Sequence, residues 1–482
     1  MSNIHFSPKL QEFPFVEGIE RISRRIASKD PSIWGVEAAE EAAIRLGWVD
    51  LPEASRSLLP RLDALWAWAR SEGISKVLLC GMGGSSLAPE VIARSYGKEL
   101  IIVDSTDPDF LEPLTHLSFK ECAVVISSKS GTTIETRSHL ALFENLISRS
   151  GISPNERIIV VTDPKSPLDS YARSKSFQVF NADPHVGGRF SALSAFGLVP
   201  SALLGIDIAP LLDDASETLE ELFRPGNLAE RLASFLAQGQ FLQIQESRKY
   251  PGLGDWIEQL VAESSGKEEK GVLPWISHQS DLLYPSLDLD DDIGANLGSH
   301  FILWEWSTAL LGWILKVDPF NQPNVQETKA ETTNLLESKD TRPTQSMTIA
   351  EMKAQLEGAS NRAGYIAICA FLNRRDDRLL LELRDRLEAR FKIPVSFGWG
   401  PRFLHSTGQF HKGGPKNGLF LSITGECRKD LDIPGETFSF QELIRAQASG
   451  DAAALRAKGL SVFQVHLRDR ESEIRELLEA FL

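Results

Sequence analysis

The chain has 482 residues, 42% of them hydrophobic, and a formal net charge of −15. This length exceeds what one hydrophobic core fills, so two or three domains are expected. The acidic balance argues against a nucleic-acid face, because the long-range field leaves any phosphate ligand to local amides and a few cations.

Residues 1–50 read as scattered amphipathic helix, with Ile33-Trp34 and Leu46 to Trp48 available to pack against a body further on. Met1 to Glu20 lacks a basic region followed by an apolar stretch, so no signal peptide is expected. From Lys76 onward, apolar runs at Val77 to Cys80, Leu100 to Val103, Ala123 to Ile126, Ile158 to Val161 and Phe177 to Phe180 alternate with helix-length segments. Short buried strands with crossover helices predict a parallel, doubly wound α/β sheet. Past Gly187-Gly188-Arg189-Phe190 the pattern turns mainly helical, from Leu193 through Gln245 and again from Asn296 to Leu315, with breaks at Pro225-Gly226 and Pro251 to Gly254. The apolar run Phe301 to Leu315 is shorter than the ~20 residues a membrane helix needs and contains Glu305, which predicts a buried helix.

Thr341 to Thr348 is polar and proline-interrupted, and reads as a linker. Beyond it Gly364 to Leu372, Pro394 to Phe397, Leu419 to Ile423 and Val462 to Val465 read as strands, with helices at Arg375 to Phe391 and Phe440 to Lys458. The expected organisation is a helical segment over 1–50, a first α/β domain over 51–225, a mainly helical region over 226–340 and a C-terminal α/β unit over 341–482. Cysteines at 80, 122, 369 and 427 show no paired spacing and mostly sit in apolar runs. They read as reduced core residues of a cytoplasmic protein, and not as a disulfide frame or a zinc site.

The sharpest motif is Val124-Val125-Ile126-Ser127-Ser128-Lys129-Ser130-Gly131-Thr132-Thr133, where an apolar strand runs into hydroxyls, a lysine and a glycine as a helix begins. Free amides and the positive end of the helix dipole attract an anion there, and serine and threonine hydroxyls fill its remaining oxygens. Ordinary capping would explain one hydroxyl, but less well a cluster with a lysine. A second loop, Gly81-Met82-Gly83-Gly84-Ser85-Ser86, also follows a strand. Together the loops can hold a phosphate at one end and a sugar chain at the other. In Gly187-Gly188-Arg189-Phe190-Ser191 the glycines allow close approach of backbone, and the guanidinium can stabilise a developing oxyanion, although a surface arginine after a turn fits equally. Gln259 and Glu263 are four apart and share a helix face, where a carboxylate is ordinarily a solvated charge. Asp318-Pro319-Phe320-Asn321-Gln322-Pro323 is a turn with Lys329 beyond it.

In this order, these motifs resemble the phosphoglucose isomerase family and its double sugar-isomerase (SIS) fold, over about Lys76 to Lys329. The resemblance implies that Ser128, Lys129, Ser130 and Thr133 grip a sugar 6-phosphate while Gly84 and Ser85 line the other side. It likewise implies Glu263 as the proton-shuttling base, Arg189 as the enediolate stabiliser, Gln259 and Gln322 as pocket groups and Lys329 as a ring-opening partner. Members usually carry a catalytic histidine after the glutamate motif, and neither His278 nor His300 sits in a recognisable version of it. The segment Arg402-Phe403-Leu404-His405-Ser406-Thr407-Gly408-Gln409-Phe410-His411-Lys412-Gly413-Gly414-Pro415 resembles the isomerase half of transaldolase/phosphoglucose isomerase fusion proteins. It offers His411, slightly preferred, and His405.

The implied reaction is interconversion of glucose 6-phosphate and fructose 6-phosphate through a cis-enediol, with no cofactor or metal. An isomerase acting on mannose 6-phosphate or both epimers is an alternative, as is a non-catalytic sugar-phosphate sensor. Such a sensor needs the hydroxyl loop but not Glu263, Arg189 and Lys329 together. The resemblance also implies a homodimer, for which the tryptophan-rich stretch Trp304 to Trp313 is available, unless it packs in the core.

Overall fold

A computed structural model describes residues 4–277, 283–338 and 346–482, and within them no side chain at 325–330 or 338. Its first sheet has five parallel strands in the order Ile101–Val103, Lys76–Gly81, Cys122–Ser127, Ile158–Thr162, Gln178–Asn181. The strands form because their apolar runs are buried on both faces. Val77, Leu79, Ala123, Val125, Ile159 and Val161 join one core cluster, while Leu78, Cys80, Val124, Ile126, Ile158 and Val160 join another. Alternation of side chains along a strand requires this split, and helices covering both faces permit it.

From Lys76–Gly81 the chain crosses first to one neighbour, Ile101–Val103, and then to the other, Cys122–Ser127. The carboxyl edge between Lys76–Gly81 and Cys122–Ser127 is therefore a topological switch point, the place where an open α/β sheet leaves a crevice for a ligand. The loops 81–86 and 127–133 both emerge there, with Gly81 paired in register to Ser127.

A second five-stranded parallel sheet runs Ser346–Met347, Ser461–Leu467, Gly418–Gly425, Tyr365–Phe371, Val395–Trp399. A three-stranded parallel sheet, Leu273–Ile276, Phe241–Gln245, Ser286–Asp288, lies against it. One cluster joins Phe241, Leu273 and Trp275 to Tyr365, Phe371 and Phe420, so residues 241–276 share a core with residues beyond 360. Here the structure differs from the helical expectation: helices end at Leu236, and Phe241–Gln245 is a central strand. Two glutamines interrupt the apolar run shortly after a helix, and pairing on both sides identifies the strand.

Ile33, Trp34, Leu46 and Trp48 are buried in the large core around the first sheet, as their composition predicts. The helix Leu297–Leu315 is buried as far as Gly312, with Trp313 half-buried in its last turn. Trp304 and Trp306 are fully enclosed by this chain and offer no surface to a partner. Among the described residues, no helix is long and apolar enough to cross a membrane. Most of the expected linker 341–348 lies outside the described residues, as does His278; Ser346–Met347 is a short strand and Thr348 caps the next helix.

Candidate active site

A cavity of about 910 Å³ opens at the switch point of the first sheet. Its walls include Gly83, Gly84 and Ser85 from one loop, Ser128, Lys129, Ser130 and Thr133 from another, and Gly187, Gly188 and Arg189 from a third. Gln259, Glu263, Gln322 and His405 complete the set that segments far apart in the chain bring together. Glycine is required where these segments meet. A Cβ on Gly84 would lie 2.0 Å from the carbonyl oxygen of Gly188, and one on Gly83, at φ +55°, would lie 2.4 Å from that of His405.

At the hydroxyl end, the helix Ile134–Arg149 begins after Thr133 with no side chain capping its first turn. Ser128 Oγ accepts from the Gly131 amide at 3.1 Å and lies 3.3 Å from Thr133 Oγ1, so the loop is held by the hydroxyls that face the cavity. Gly131, at φ +68°, packs so tightly on Leu168 that a side chain would collide with it. Ser127 Oγ, also on the wall, is buried without a hydrogen-bond partner. Lys129 Nζ donates to Asp163 Oδ2 at 2.5 Å and to the Pro184 carbonyl at 3.2 Å. Burial pushes both members toward neutrality, Lys129 downward and Asp163 upward, against their mutual attraction. An incoming anion would compete with Asp163 for this lysine.

At the other end, Glu263 and Arg189 are 6% and 5% exposed, and Arg189 Nη1 stands 3.2 Å from Glu263 Oε1. The solvated-carboxylate reading of Glu263 therefore fails: its helix, Leu253–Ser265, is buried on nearly every face. Gln259 Nε2 donates to Glu263 Oε2 at 3.1 Å and to the His405 carbonyl at 2.8 Å. Arg189 Nη2 donates to the carbonyls of Phe320, at 2.5 Å, and Asn321, at 3.0 Å, which ties the guanidinium to the expected turn. Arg189 Nη1, Gln259 Oε1 and Asn321 Oδ1 are buried without a hydrogen-bond partner. Such orphans are rare in native proteins and, on a cavity wall, are groups available to a ligand. Gln322 is exposed at the rim.

The structure separates the two histidines. His405 ends the 3-10 helix Arg402–His405 and lines the cavity, with Nε2 at 2.9 Å from Glu135 Oε1. His411 instead lies in an aromatic core, its ring stacked on Tyr365 and its Nδ1 at 3.0 Å from the tyrosine hydroxyl. Burial, helped by the Lys412 charge, pushes its pKa down to about 3. His300 is likewise buried, at about 3. Lys329 falls on the helix Val325–Ser338, and its side chain lies outside the described residues.

A phosphoglucose isomerase family profile matches residues 51–247. A glucose-6-phosphate isomerase of Mycoplasmopsis pulmonis is 28% identical over 69% of this chain and 96% of its own length. One from Thermus thermophilus is 32% identical over 48% of this chain, but the match spans only 58% of that protein. Residues 51–247 thus match a phosphoglucose isomerase domain, and the chain is similar to glucose-6-phosphate isomerases. A solved glucose-6-phosphate isomerase from Chlamydia trachomatis, 20% identical, shares the fold with a TM-score of 0.52 over 72% of this chain and 85% of that one.

Within this phosphoglucose isomerase fold, three cavity residues had no signal in the sequence. Glu135, 3% exposed in the first turn after the hydroxyl loop, accepts from His405 and, at 2.7 Å, from Gln447 Nε2. Gln447 is fixed in turn by Thr106 Oγ1, which donates to its Oε1 at 2.7 Å. Burial would raise Glu135, but His405 and the helix-start amide bring it below the ordinary carboxylate range, so it is ionised. Arg45, paired to Glu41 at 2.7 Å, lines the cavity from the N-terminal segment. An acid after a capping motif, a lone glutamine and a surface arginine are each common in any protein, so local reading passes over them.

Proposed function

We propose that the chain interconverts glucose 6-phosphate and fructose 6-phosphate at this cavity. The observation that carries the reading is the meeting of Glu263 and Arg189, 3.2 Å apart and nearly inaccessible, across one cavity from an uncapped helix start ringed by hydroxyls. Phosphate held by Ser128, Lys129, Ser130, Thr133 and the helix amides anchors the sugar, so that remote affinity becomes orientation of C1 and C2.

His405 opens the ring. An ionised carboxylate only accepts hydrogen bonds, so Glu135 holds the proton on Nε2 and leaves Nδ1 for the substrate. The histidine moves a proton between the anomeric hydroxyl and the ring oxygen, the C1–O5 bond breaks, and C1 becomes an aldehyde. Glu263 then removes the C2 proton; the C–H electron pair forms the C1–C2 double bond and the aldehyde oxygen takes the negative charge. Arg189 Nη1, ion-paired with Glu263 but making no hydrogen bond, answers that charge as it develops. Glu263 returns the proton to C1, the C2 hydroxyl proton passes to the negatively charged oxygen on C1, and the carbonyl stands at C2. Lys329 is assigned to assist ring opening. Gln259 and Gly83 hold the base and the histidine turn in contact, while Gln322 closes the rim.

The test is turnover of fructose 6-phosphate to glucose 6-phosphate by the purified chain after metal chelation, with mannose 6-phosphate measured alongside. Turnover lost in Glu263→Gln supports the reading; binding of sugar phosphate without turnover in the parent favours the sensor. Homodimer formation is a further proposal, resting on the resemblance alone and checked by sedimentation. A reducing cytoplasmic setting is supported by four free cysteines, three of them buried.

A further inference from the structure

The residue three before His405 is Arg402, on the same one-turn helix, and its side chain lines a second cavity of about 500 Å³. Arg402 Nη1 donates to Glu90 Oε2 at 2.6 Å and to Asp104 Oδ2 at 2.7 Å. Glu90 belongs to the helix Leu87–Ser95 that follows the glycine loop, and Asp104 directly follows the strand Ile101–Val103. These carboxylates are 5% and 1% exposed. Arg94 and Arg374 also face Glu90, at 2.6 and 3.6 Å, Arg374 faces Asp104 at 3.4 Å, and Asp255 lies 3.9 Å from Arg402. Burial opposes a charge on Glu90, yet the surrounding guanidiniums hold its pKa down to about 2.

A buried charge cluster contributes little net stability compared with an apolar core of the same volume, but it fixes geometry, since each partner is costly to leave alone. Both bonds come from one nitrogen of a planar, always-charged guanidinium, which aims its two hydrogens at fixed angles toward carboxylates from different elements; a lysine ammonium on its flexible stem fixes neither angle. Among the described residues, one hydrogen bond from outside reaches this turn's backbone, that of Gln259 to the His405 carbonyl. We infer that Arg402 is a positioning residue for His405, clamping the histidine turn of the C-terminal region onto the carboxyl edge of the first sheet. The inference rests on the proposed role of His405 in ring opening.

The test compares Arg402→Lys, Arg402→Ala, His405→Ala and the double variant Arg402→Lys/His405→Ala in fructose 6-phosphate turnover, with melting temperatures measured beside them. Displacement of a reacting group by ~1 Å costs on the order of 10²-fold. Arg402→Lys should therefore lose ten- to a hundredfold in kcat, by about that estimate, with KM little changed. The double variant should be no slower than His405→Ala alone, because both changes remove one function. Millimolar guanidinium should restore part of the turnover of Arg402→Ala, since the lost group lines a cavity. Glu90→Gln, which removes one acceptor but little volume, should show a smaller loss of the same non-additive kind. Parental kcat in Arg402→Lys, or losses that multiply in the double variant, would overturn the inference. Parental turnover in His405→Ala would instead overturn the functional reading on which it rests.

Discussion

Replacing Gly83 with alanine probes the contact between the glycine loop and the histidine turn. The added Cβ would stand 2.4 Å from the His405 carbonyl oxygen and 2.8 Å from Gln259 Nε2, whereas ordinary contact begins near 3.4 Å. The carbonyl must therefore retreat by about 1 Å, a displacement that costs on the order of 10²-fold when it misplaces a reacting group. Alanine at positive φ adds a backbone cost of about 1 kcal/mol that has nothing to do with the site. Gly97 isolates that cost: its φ is +63°, it is exposed, and a Cβ there meets nothing within 4 Å. Fructose 6-phosphate turnover and urea unfolding of Gly83→Ala and Gly97→Ala should show a similar backbone cost in both, further destabilisation in Gly83→Ala from the contact, and a ~100-fold loss of kcat in Gly83→Ala alone. Turnover of Gly83→Ala within about threefold of Gly97→Ala would refute the close approach as a requirement for catalysis.

Glu263→Gln keeps the shape of the base but cannot take a proton; kcat should fall by roughly 10²- to 10⁴-fold while inhibition by inorganic phosphate, bound at the other end, stays unchanged. Ser128→Ala removes a hydroxyl that both shapes the anion loop and faces the cavity. Its KM should rise about tenfold, in line with loss of one hydrogen bond to a charged group, and equal KM in variant and parent would speak against phosphate at that loop. Acid should destabilise the fold through its buried histidines. His411 and His300 have folded values of about 3 against an ordinary 6.5, so below about 6.5 the unfolded chain binds protons that the native state refuses. Stability then falls as pH drops from 6.5 toward 3, by at most about 1.4 kcal/mol per pH unit for each group. The contribution of Glu90, with a folded value of about 2 against 4.5, is present above 4.5 and lost between those values. Urea midpoints near pH 7.5 and 5.5 test this: the gap should narrow in His411→Phe, and an unchanged gap would show that His411 is not a source of it.

The sequence by itself determined the elements whose signals are local. A strand, a turn and a helix start follow in immediate succession at Ser128 to Thr133, so the loop's place at a sheet edge could be read without knowing anything else about the chain. The first sheet was legible for the same reason, because burial on both faces leaves continuous apolar runs such as Val124-Val125-Ile126. Phe241–Gln245 was not, since its glutamines interrupt the apolar run and its strand character shows only in the pairing on either side.

Only the tertiary structure decided which polar groups line the cavity. Glu263 carries the same local signature as a surface charge until Arg189 is placed against it. His405 and His411 share one glycine-rich segment, and nothing local separates a histidine facing Glu135 from one stacked on Tyr365. The need for glycine at 83 is set by a carbonyl more than three hundred residues away. Periodicity and turn chemistry act over a few residues, whereas the desolvation and pairing of a charge depend on whichever segments the packed domains bring to its side.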